Sequence, residues 1–304
     1  MDGKDNIWII KASGNARGSG IFLTDKLEEA LESGVKNQAR IIQKYIEKPL
    51  ILTDSPFVNL NNKKFDIRQW VLVSSMNPLV IYMFSSSYIR LCSQEYDLKD
   101  IKNNFKHLTN FSLNKGNFQN GNEDSVCHID ALKQYLKESK GIDWDTVIKP
   151  KIVDIIKKTI SSAADSIEQR TGCFDMYGFD LLLDYKCQPW LLEVNLSPAC
   201  TERTPWLIEM LDEMAEGLLK TVLPADYLQT VNNESNQEKN EETEGNLAVK
   251  KEKEQGKYAW ELIHKAEAQR DVGLNNNNMN LEIWGVKANI KKEQEIDKKY
   301  FSNM

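Results

Sequence analysis

A chain of 304 residues that is 41% hydrophobic and 28% charged is long enough for one large domain or two small ones. Its formal net charge of −6 gives no electrostatic argument for nucleic acid, so an acidic partner must meet a local basic patch. No apolar run approaches the roughly 20 residues that cross a bilayer, and the five cysteines are scattered without a CxxC pair, which favours reduced thiols in the cytoplasm.

The first elements predict a strand, a glycine-rich loop and a second strand. Residues 7–11 form a short apolar run that ends in Lys11, and the glycine-rich stretch 12–20 leads into the apolar residues 21–23. Glycine allows the backbone to approach phosphates closely, and Lys11 and Arg17 supply positive charge. A plain flexible hairpin is an equally good interpretation of this loop taken alone.

A helix is predicted from about residue 25 to Gly34, followed by a strand at 39–47. Gln43, Lys44, Tyr45 and Ile46 offer backbone hydrogen bonds between apolar side chains, as a flat adenine ring would require. The alternative is an ordinary strand.

The stretch 63–73 alternates, so Lys64, Asp66 and Arg68 share one face of the predicted strand. Further strands are expected at 79–84 and 88–91, and the second carries Arg90. Arginine suits bidentate binding of phosphate, so Arg68 and Arg90 are predicted to share an anion. The alternative is that this charged face is simply solvated.

Residues 107–115 open a polar loop. Thr109 and Asn110 are predicted to face a phosphate or a metal, and Lys115 to contact substrate. The three histidines at positions 107, 128 and 264 form no metal set and are expected at the surface.

Helices are predicted at 129–139, 146–170 and 205–222 from apolar residues at helical spacing. The pattern divides the chain into a catalytic region at 1–225, a disordered charged linker at 226–257 and a partly helical tail at 258–304, with a short helix at 258–270.

A hairpin at residues 177–195 is the strongest indication of a site. Folding it between Lys186 and Cys187 places Asp180 opposite Glu193, and Asn195 shares a face with Glu193. Three oxygen ligands on a rigid hairpin suit Mg²⁺, which takes its remaining ligands from water and nucleotide phosphates. The alternative is that the polar face of the hairpin meets solvent.

Together these motifs resemble the tubulin-tyrosine-ligase-like family over roughly residues 7–222. The ordered matches are Trp8-Ile-Ile-Lys11, Arg17-Gly-Ser-Gly-Ile21, Gln43-Lys-Tyr-Ile46, Lys64-Phe-Asp-Ile-Arg68, Tyr88-Ile-Arg90, His107-Leu-Thr-Asn110, Tyr177-Gly-Phe-Asp180 and Glu193-Val-Asn-Leu-Ser-Pro198. The resemblance implies an α/β (α+β) ATP-grasp fold, with a mixed or antiparallel sheet flanked by helices. Since Met1 lies a few residues before the lysine strand, the N-terminal part of the family domain is expected to be missing.

The resemblance also implies a role for each matched residue. Lys11 and Arg17 would contact phosphates, and Gln43, Lys44, Tyr45, Ile46 and Lys64 would hold adenosine. Asp66, Arg68 and Arg90 would position phosphates and substrate, with Thr109 and Asn110 near the γ-phosphate. Asp180, Glu193 and Asn195 would hold Mg²⁺.

The implied activity is ATP-dependent ligation of an amino acid to glutamate side chains in tubulin tails, with ATP and Mg²⁺ as cofactors. Segments around Ile46, residues 65–70 and residues 77–79 are most similar to the glycine-ligase branch, which makes free glycine the expected co-substrate. A polyglutamylase and a non-catalytic, truncated microtubule-binding paralogue are the alternatives. The expected protein is a monomer of the cytoplasm, cytoskeleton and cilium, with no nucleic acid or membrane partner, and its local basic surface would use Lys63, Lys64, Arg68, Arg90, Lys102, Lys106 and Lys115.

Overall fold

The structure, a computed structural model, describes residues 5–12, 18, 20–35, 39–118, 121–164, 166–167, 170, 172–201, 203–224 and 257–266. Arg17, the predicted linker except its last residue, and the tail beyond residue 266 lie outside the described residues. The described residues all belong to one compact unit, Met1–Ala268. Within these ranges no helix is long and apolar enough to cross a membrane.

Nine strands form two sheets in the described part of the chain. They are β1 (Trp8–Ala12), β2 (Phe22–Thr24), β3 (Arg40–Lys44), β4 (Lys63–Met76), β5 (Leu79–Glu95), β6 (Val126–His128), β7 (Asp175–Leu183), β8 (Pro189–Leu196) and β9 (Trp260–Lys265). The small sheet has the order β2-β1-β3, and the large sheet has the order β6-β5-β4-β7-β8, with β9 also pairing with β5. The pairs within both sheets are antiparallel.

Six α-helices accompany the sheets in the same described ranges. They are α1 (Leu27–Val35), α2 (Asn104–His107), α3 (Phe111–Asn114), α4 (Ile129–Lys140), α5 (Lys149–Ala164) and α6 (Pro205–Val222). The prediction of an antiparallel sheet flanked by helices is therefore confirmed.

The central strands of the large sheet are buried on both faces. One face packs against α4 and α5, and α5 contributes Ile152, Ile156 and Ile160 at a spacing of one helical turn. Part of the other face carries Trp70 and packs against α6. Full burial of a large apolar side chain contributes about 1.5–3 kcal/mol, so these two layers fix the sheet that carries the polar residues.

Helix α6 begins and ends where the sequence predicts. The Thr204 side chain caps its N-terminus by accepting a hydrogen bond from the Leu207 backbone N–H, and Pro205 occupies the first turn. Leu207, Met210 and Met214 lie on the buried face at helical spacing. Local residue pattern is therefore sufficient to define this element.

The prediction of a helix at 258–270 is wrong, because Trp260–Lys265 forms strand β9. This segment pairs antiparallel with the first half of β5 from Val80 to Phe84. Pairing satisfies backbone groups at that edge, and the Trp260 ring lies 5.3 Å from the Phe84 ring. The tertiary partner outweighs the local helical preference of this Glu-, Lys- and Ala-containing segment.

The predicted strands at 79–84 and 88–91 are one continuous strand, β5. The two halves of β5 have different neighbours on the same side, β9 for the first half and β6 for the second. This long strand carries Arg90 into the centre of the sheet, where Arg90 pairs with Asp66 of β4.

Candidate active site

A cleft of about 290 Å³ separates the small sheet from the exposed part of the large sheet. Twelve of the predicted site residues line it: Lys11, Gln43, Lys44, Tyr45, Ile46, Lys64, Asp66, Arg90, Thr109, Asn110, Asp180 and Glu193. Residues far apart in sequence therefore meet in one cavity, whose size is near the lower end of ordinary ligand pockets.

One end of the cleft combines an apolar wall with strand-edge backbone. Leu182, Trp190 and Leu191 line it beside residues 43–46. Of residues 43–46, Lys44 already has protein partners for its side chain. Its Nζ forms a salt bridge with Glu47 and donates a hydrogen bond to the Ile7 carbonyl 3.0 Å away. Such a wall can hold a flat heteroaromatic ring. The Tyr45 backbone N–H is already bonded to the Ile7 carbonyl, and Gln43 pairs with Ile9 of β1.

Lys64 lies at the floor of this end and is fully buried. Its Nζ donates hydrogen bonds to the Tyr45 hydroxyl at 3.0 Å and to the His107 carbonyl at 2.8 Å. Burial lowers the pKa of Lys64 to about 8, with nearby Cys92 and Asp66 opposing the shift. Within the described residues no salt bridge joins this buried ammonium to a carboxylate, so an anionic ligand would supply the opposite charge.

The other end is a row of charges across three neighbouring strands. Arg68 Nε donates to Asp180 Oδ1 at 2.6 Å, and Arg90 donates to Asp66 Oδ1 and Oδ2, both at 2.7 Å. Arg90 also lies 2.7 Å from Asp180 Oδ2, so it bridges the two aspartates. Thr109 donates its hydroxyl to Asp66. The antiparallel register places these residues side by side, since Asp66 faces Arg90 and Arg68 faces Asp180.

This charged face is buried rather than solvated. Lys64, Asp66 and Arg68 are only 6%, 3% and 6% exposed, which excludes the alternative that the alternating strand simply meets water. Burial opposes ionisation of Asp180, but the charges of Arg90 and Arg68 outweigh it and hold the pKa of Asp180 below its ordinary value.

The predicted hairpin register is confirmed, since Asp180 pairs with Glu193 across β7 and β8. The Asn195 amide donates to Asp180 Oδ2 at 3.2 Å and to Glu193 Oε1 at 3.4 Å. Burial and the neighbouring charge of Asp180 raise the pKa of Glu193. Two carboxylates held this close favour a cation between them.

These three residues fit a magnesium ion, but not equally. Arginines already occupy both oxygens of Asp180, whereas Glu193 has no arginine partner in the described part of the chain. Among the described residues no group of three or more His, Cys, Asp and Glu side chains could hold a metal. The chain would therefore supply few ligands, chiefly Glu193 with Asp180 beside it, which is typical of Mg²⁺ bound with nucleotide phosphates. Asn195 donates its amide N–H to both carboxylates and would position them.

Lys11 connects the two sheets across the cleft. Its Nζ donates a hydrogen bond to the Leu192 carbonyl of β8 at 3.2 Å, and its charge lies near Glu193. The lysine at the end of the first strand therefore reaches the polar end of the cleft.

Four predicted site residues do not line the cleft. Arg68 lies behind the cleft, where it pairs with Asp180. Asn195 contacts the cleft through Asp180 and Glu193. Lys115 is exposed at the C-terminal end of α3, and Arg17 lies outside the described residues.

The expected basic surface is largely wrong. Lys64, Arg68 and Arg90 are buried. Lys102 pairs with Glu29, and Lys106 pairs with Asp97 and Asp100. Lys63 and Lys115 are the remaining members of the expected patch.

The sequence did not identify His107 as part of the site, and its expected surface position is wrong. The ring is 1% exposed and its Nδ1 lies 3.1 Å from the Tyr45 hydroxyl. Burial lowers the pKa of His107 to about 4, so the ring is neutral near pH 7. Trp190 was also not predicted to line the site, although it lies on the same strand as Glu193, which could have indicated its position.

Comparison with known proteins agrees with this geometry. A family model described as the tubulin-tyrosine ligase family matches residues 1–231. Tubulin glycylase 3E of Tetrahymena thermophila is 50% identical over 99% of this chain and 22% of its own length, and tubulin glycylase 3F of the same organism is 41% identical over 75% of this chain and 26% of its own. Tubulin monoglycylase TTLL3 of Homo sapiens is 34% identical over 67% of this chain and 27% of its own.

The chain spans about a quarter of the length of these curated relatives. The family match covers the small sheet, the large sheet up to β8, and α6. It therefore includes every element that lines the cleft. The chain belongs to the tubulin-tyrosine ligase family.

Proposed function

We propose that this chain is the catalytic region of an ATP-dependent ligase that adds glycine to glutamate side chains in tubulin C-terminal tails. The observation that carries the proposal is the cleft itself. An apolar wall for a base, Lys11 and Lys64 for phosphates, and the Asp180–Glu193 pair for magnesium lie in one cavity.

The proposed reaction has two steps. A carboxylate oxygen of the acceptor glutamate attacks the γ-phosphorus of ATP, so an O–P bond forms and ADP leaves. The amine of glycine then attacks the carbonyl carbon of the acyl phosphate, inorganic phosphate leaves, and the amine loses a proton to give an isopeptide bond.

The residues of the cleft act by position and charge. Lys64 and Lys11 would neutralise phosphate charge, and the Arg90 guanidinium would stabilise the transferring phosphoryl group. Arg68 would act from behind the cleft, by holding Asp180 in place. Glu193, with Asp180 beside it, would hold a magnesium ion, whose charge would offset that of the phosphates. Asp66 holds Arg90 through two hydrogen bonds, which fixes the direction of that guanidinium.

Glycine is proposed as the amino acid for two reasons. The relatives named above are called glycylases, and the 65–70 segment resembles the glycine branch. Within that segment Gln69 donates to the Phe84 carbonyl at 2.8 Å, and Trp70 is fully buried in the cluster that packs against α6. Tubulin as partner, glycine as co-substrate, a monomeric state and a place on the cytoskeleton and cilium belong to this proposal.

Label transfer tests the proposal. Tubulin is incubated with Mg-ATP, the full chain and radiolabelled glycine or glutamate, and label on tubulin is measured after denaturing electrophoresis. We expect glycine label that requires ATP and that falls at least 100-fold in Glu193→Gln. Glu209→Gln, at an exposed position of α6, is the matched control and should transfer as much glycine label as the wild type.

The alternatives give different results. Transfer of glutamate instead of glycine identifies a glutamylase. ATP-independent pelleting with microtubules in the absence of any transfer identifies a binding protein, and either result contradicts the proposed glycylation.

A further inference from the structure

Arg203, in the loop between β8 and α6, lies beside the arginine–aspartate row but was not identified from the sequence. Its guanidinium stacks on the Phe111 ring, 4.2 Å from the ring centroid. Phe111 directly follows Asn110 of the cleft. The groups whose charges act on Arg203 are Tyr88, Arg90, Arg68 and Asp66.

Arg203 differs from Arg68 and Arg90 in the partners that its guanidinium has within the described part of the chain. The other two arginines donate to Asp180 and Asp66. The Nε of Arg203 is buried and has no hydrogen-bond partner, and within the described ranges no carboxylate forms a salt bridge with this side chain. Leaving a buried donor unpaired is costly, so the position needs a ligand.

The local charges indicate an anion. The charged side chains that act on Arg203 are two guanidiniums, Arg90 and Arg68, and one carboxylate, Asp66. Positive charge therefore exceeds negative charge around this side chain, and a carboxylate would offset the excess. The phosphate end of the cleft has its own cations in Lys11 and Lys64, so this surplus is available to a second anion.

We propose that Arg203 binds a substrate carboxylate next to the Arg68–Arg90 pair. The planar guanidinium suits bidentate binding of a carboxylate, and stacking on Phe111 fixes its plane. This inference rests on the proposed ligase activity. In that reaction two carboxylates are available, that of free glycine and those of the acceptor tail.

Glycine and glycinamide separate these sources, because glycinamide keeps the amine but lacks the carboxylate. Wild type, Arg203→Met, Arg203→Lys and the surface control Lys220→Met are compared in tubulin labelling. In Arg203→Met we expect the KM for glycine to rise about 10- to 100-fold, as for loss of a charge-assisted pair. The KM for glycinamide, the Kd for Mg-ATP and the melting temperature should stay unchanged. Arg203→Lys should recover part of the glycine affinity.

A rise in the KM for tubulin with unchanged glycine kinetics supports the proposal with the acceptor carboxylate as its source. Unchanged KM values for both substrates overturn it. Parallel loss of Mg-ATP binding or of melting temperature also overturns it, because Arg203 would then serve phosphate binding or folding.

Equilibrium dialysis tests carboxylate binding by Arg203 separately from the proposed ligase activity. A wild type that transfers no amino acid contradicts the proposed function. Dialysis of labelled glycine, and of a glutamate-rich peptide, then tests Arg203 directly in the presence of Mg-ADP. Weaker binding of either ligand to Arg203→Met than to Lys220→Met supports the inference, and equal binding or none overturns it.

Discussion

Lys64 shows how one buried charge links nucleotide binding to stability. The free protein keeps this ammonium in a low-dielectric position, where burial lowers its pKa to about 8 from the ordinary value of 10.5. A phosphate would supply the missing negative charge. The same lysine therefore favours the bound state and destabilises the empty one.

We predict that ATP affinity is greatest when Lys64 is charged. The affinity should be level below about pH 8 and fall by up to about tenfold per pH unit above it. Isothermal titration of Mg-ATP between pH 7 and pH 10 measures this. Lys64→Met should bind ATP weakly and without the fall, and an identical pH profile in the variant would contradict the assignment.

The stability of the empty protein should rise with pH over the range in which the affinity for ATP falls. The folded pKa of Lys64 lies below its unfolded value, so the unfolded chain binds more protons between pH 8 and 10.5 and the free energy of unfolding contributed by this group rises across that window. Lys64→Met should accordingly stabilise the empty protein near pH 7, by up to about 3 kcal/mol, and much less above pH 10.5. Urea unfolding at both pH values measures the difference.

Arg90 is predicted to be essential for folding as well as for chemistry. Replacing it with Met leaves the buried carboxylates of Asp66 and Asp180 without their shared partner, which should cost about 3–5 kcal/mol of unfolding free energy. Lys158→Met, which breaks an exposed pair with Asp154, should cost under about 1 kcal/mol. Similar urea midpoints for the two variants would show that the buried row does not stabilise the sheet.

At the scale of elements, β9 joins a distant part of the chain to the sheet. The Trp260 indole donates to the Met214 carbonyl at 3.0 Å, and Lys149 of α5 lies 2.8 Å from Glu261. The strand thus contacts β5, α5 and α6 together. It supports the layer behind the charged face without touching the cleft.

Comparison of Trp260→Ala with Leu262→Ala shows whether aromatic packing or strand pairing alone holds β9 in the fold. Trp260 lies in the aromatic cluster, so its truncation should cost about 2–4 kcal/mol, whereas Leu262 is 52% exposed and should cost about 0.5 kcal/mol. Thermal unfolding of both variants checks this. Equal destabilisation would mean that the aromatic contact is not what fixes β9.

Elements defined by local pattern were predictable from the sequence, and those defined by distant partners were not. The apolar spacing of α6 predicted both its ends, and the turn at residues 185–188 predicted the pairing of Asp180 with Glu193. Nothing within residues 258–270 indicates the strand edge that β9 joins. The same holds for His107 and Arg203, because their burial is set by residues remote in sequence.

At the scale of the whole molecule, the small sheet closes the cleft over the large one. The described contacts between the two regions include the Lys11 bond to Leu192, the Tyr45 hydroxyl with Lys64 and His107, and the apolar cluster around Ile7 and Leu108. In the proposed complex the nucleotide lies between the two sheets, and a ligand that touches both should hold them together.

Hydrogen exchange tests this coupling. Saturating Mg-ATP should slow amide exchange in β1 and β3, since binding stabilises the bound state by about 2.7 kcal/mol at a hundredfold excess over Kd. Amides of α4 and α5, which lie behind the large sheet, should change little. Equal protection of all four elements would instead indicate a global effect.

The most direct test of the account is the magnesium dependence of ATP binding, measured by titration with Mg²⁺ and with EDTA. Wild type and Glu209→Gln should bind Mg-ATP more tightly than free ATP. Glu193→Gln should bind free ATP as wild type does but lose the gain from magnesium. If the gain survives in Glu193→Gln, the paired strands do not hold the metal and the central claim is wrong.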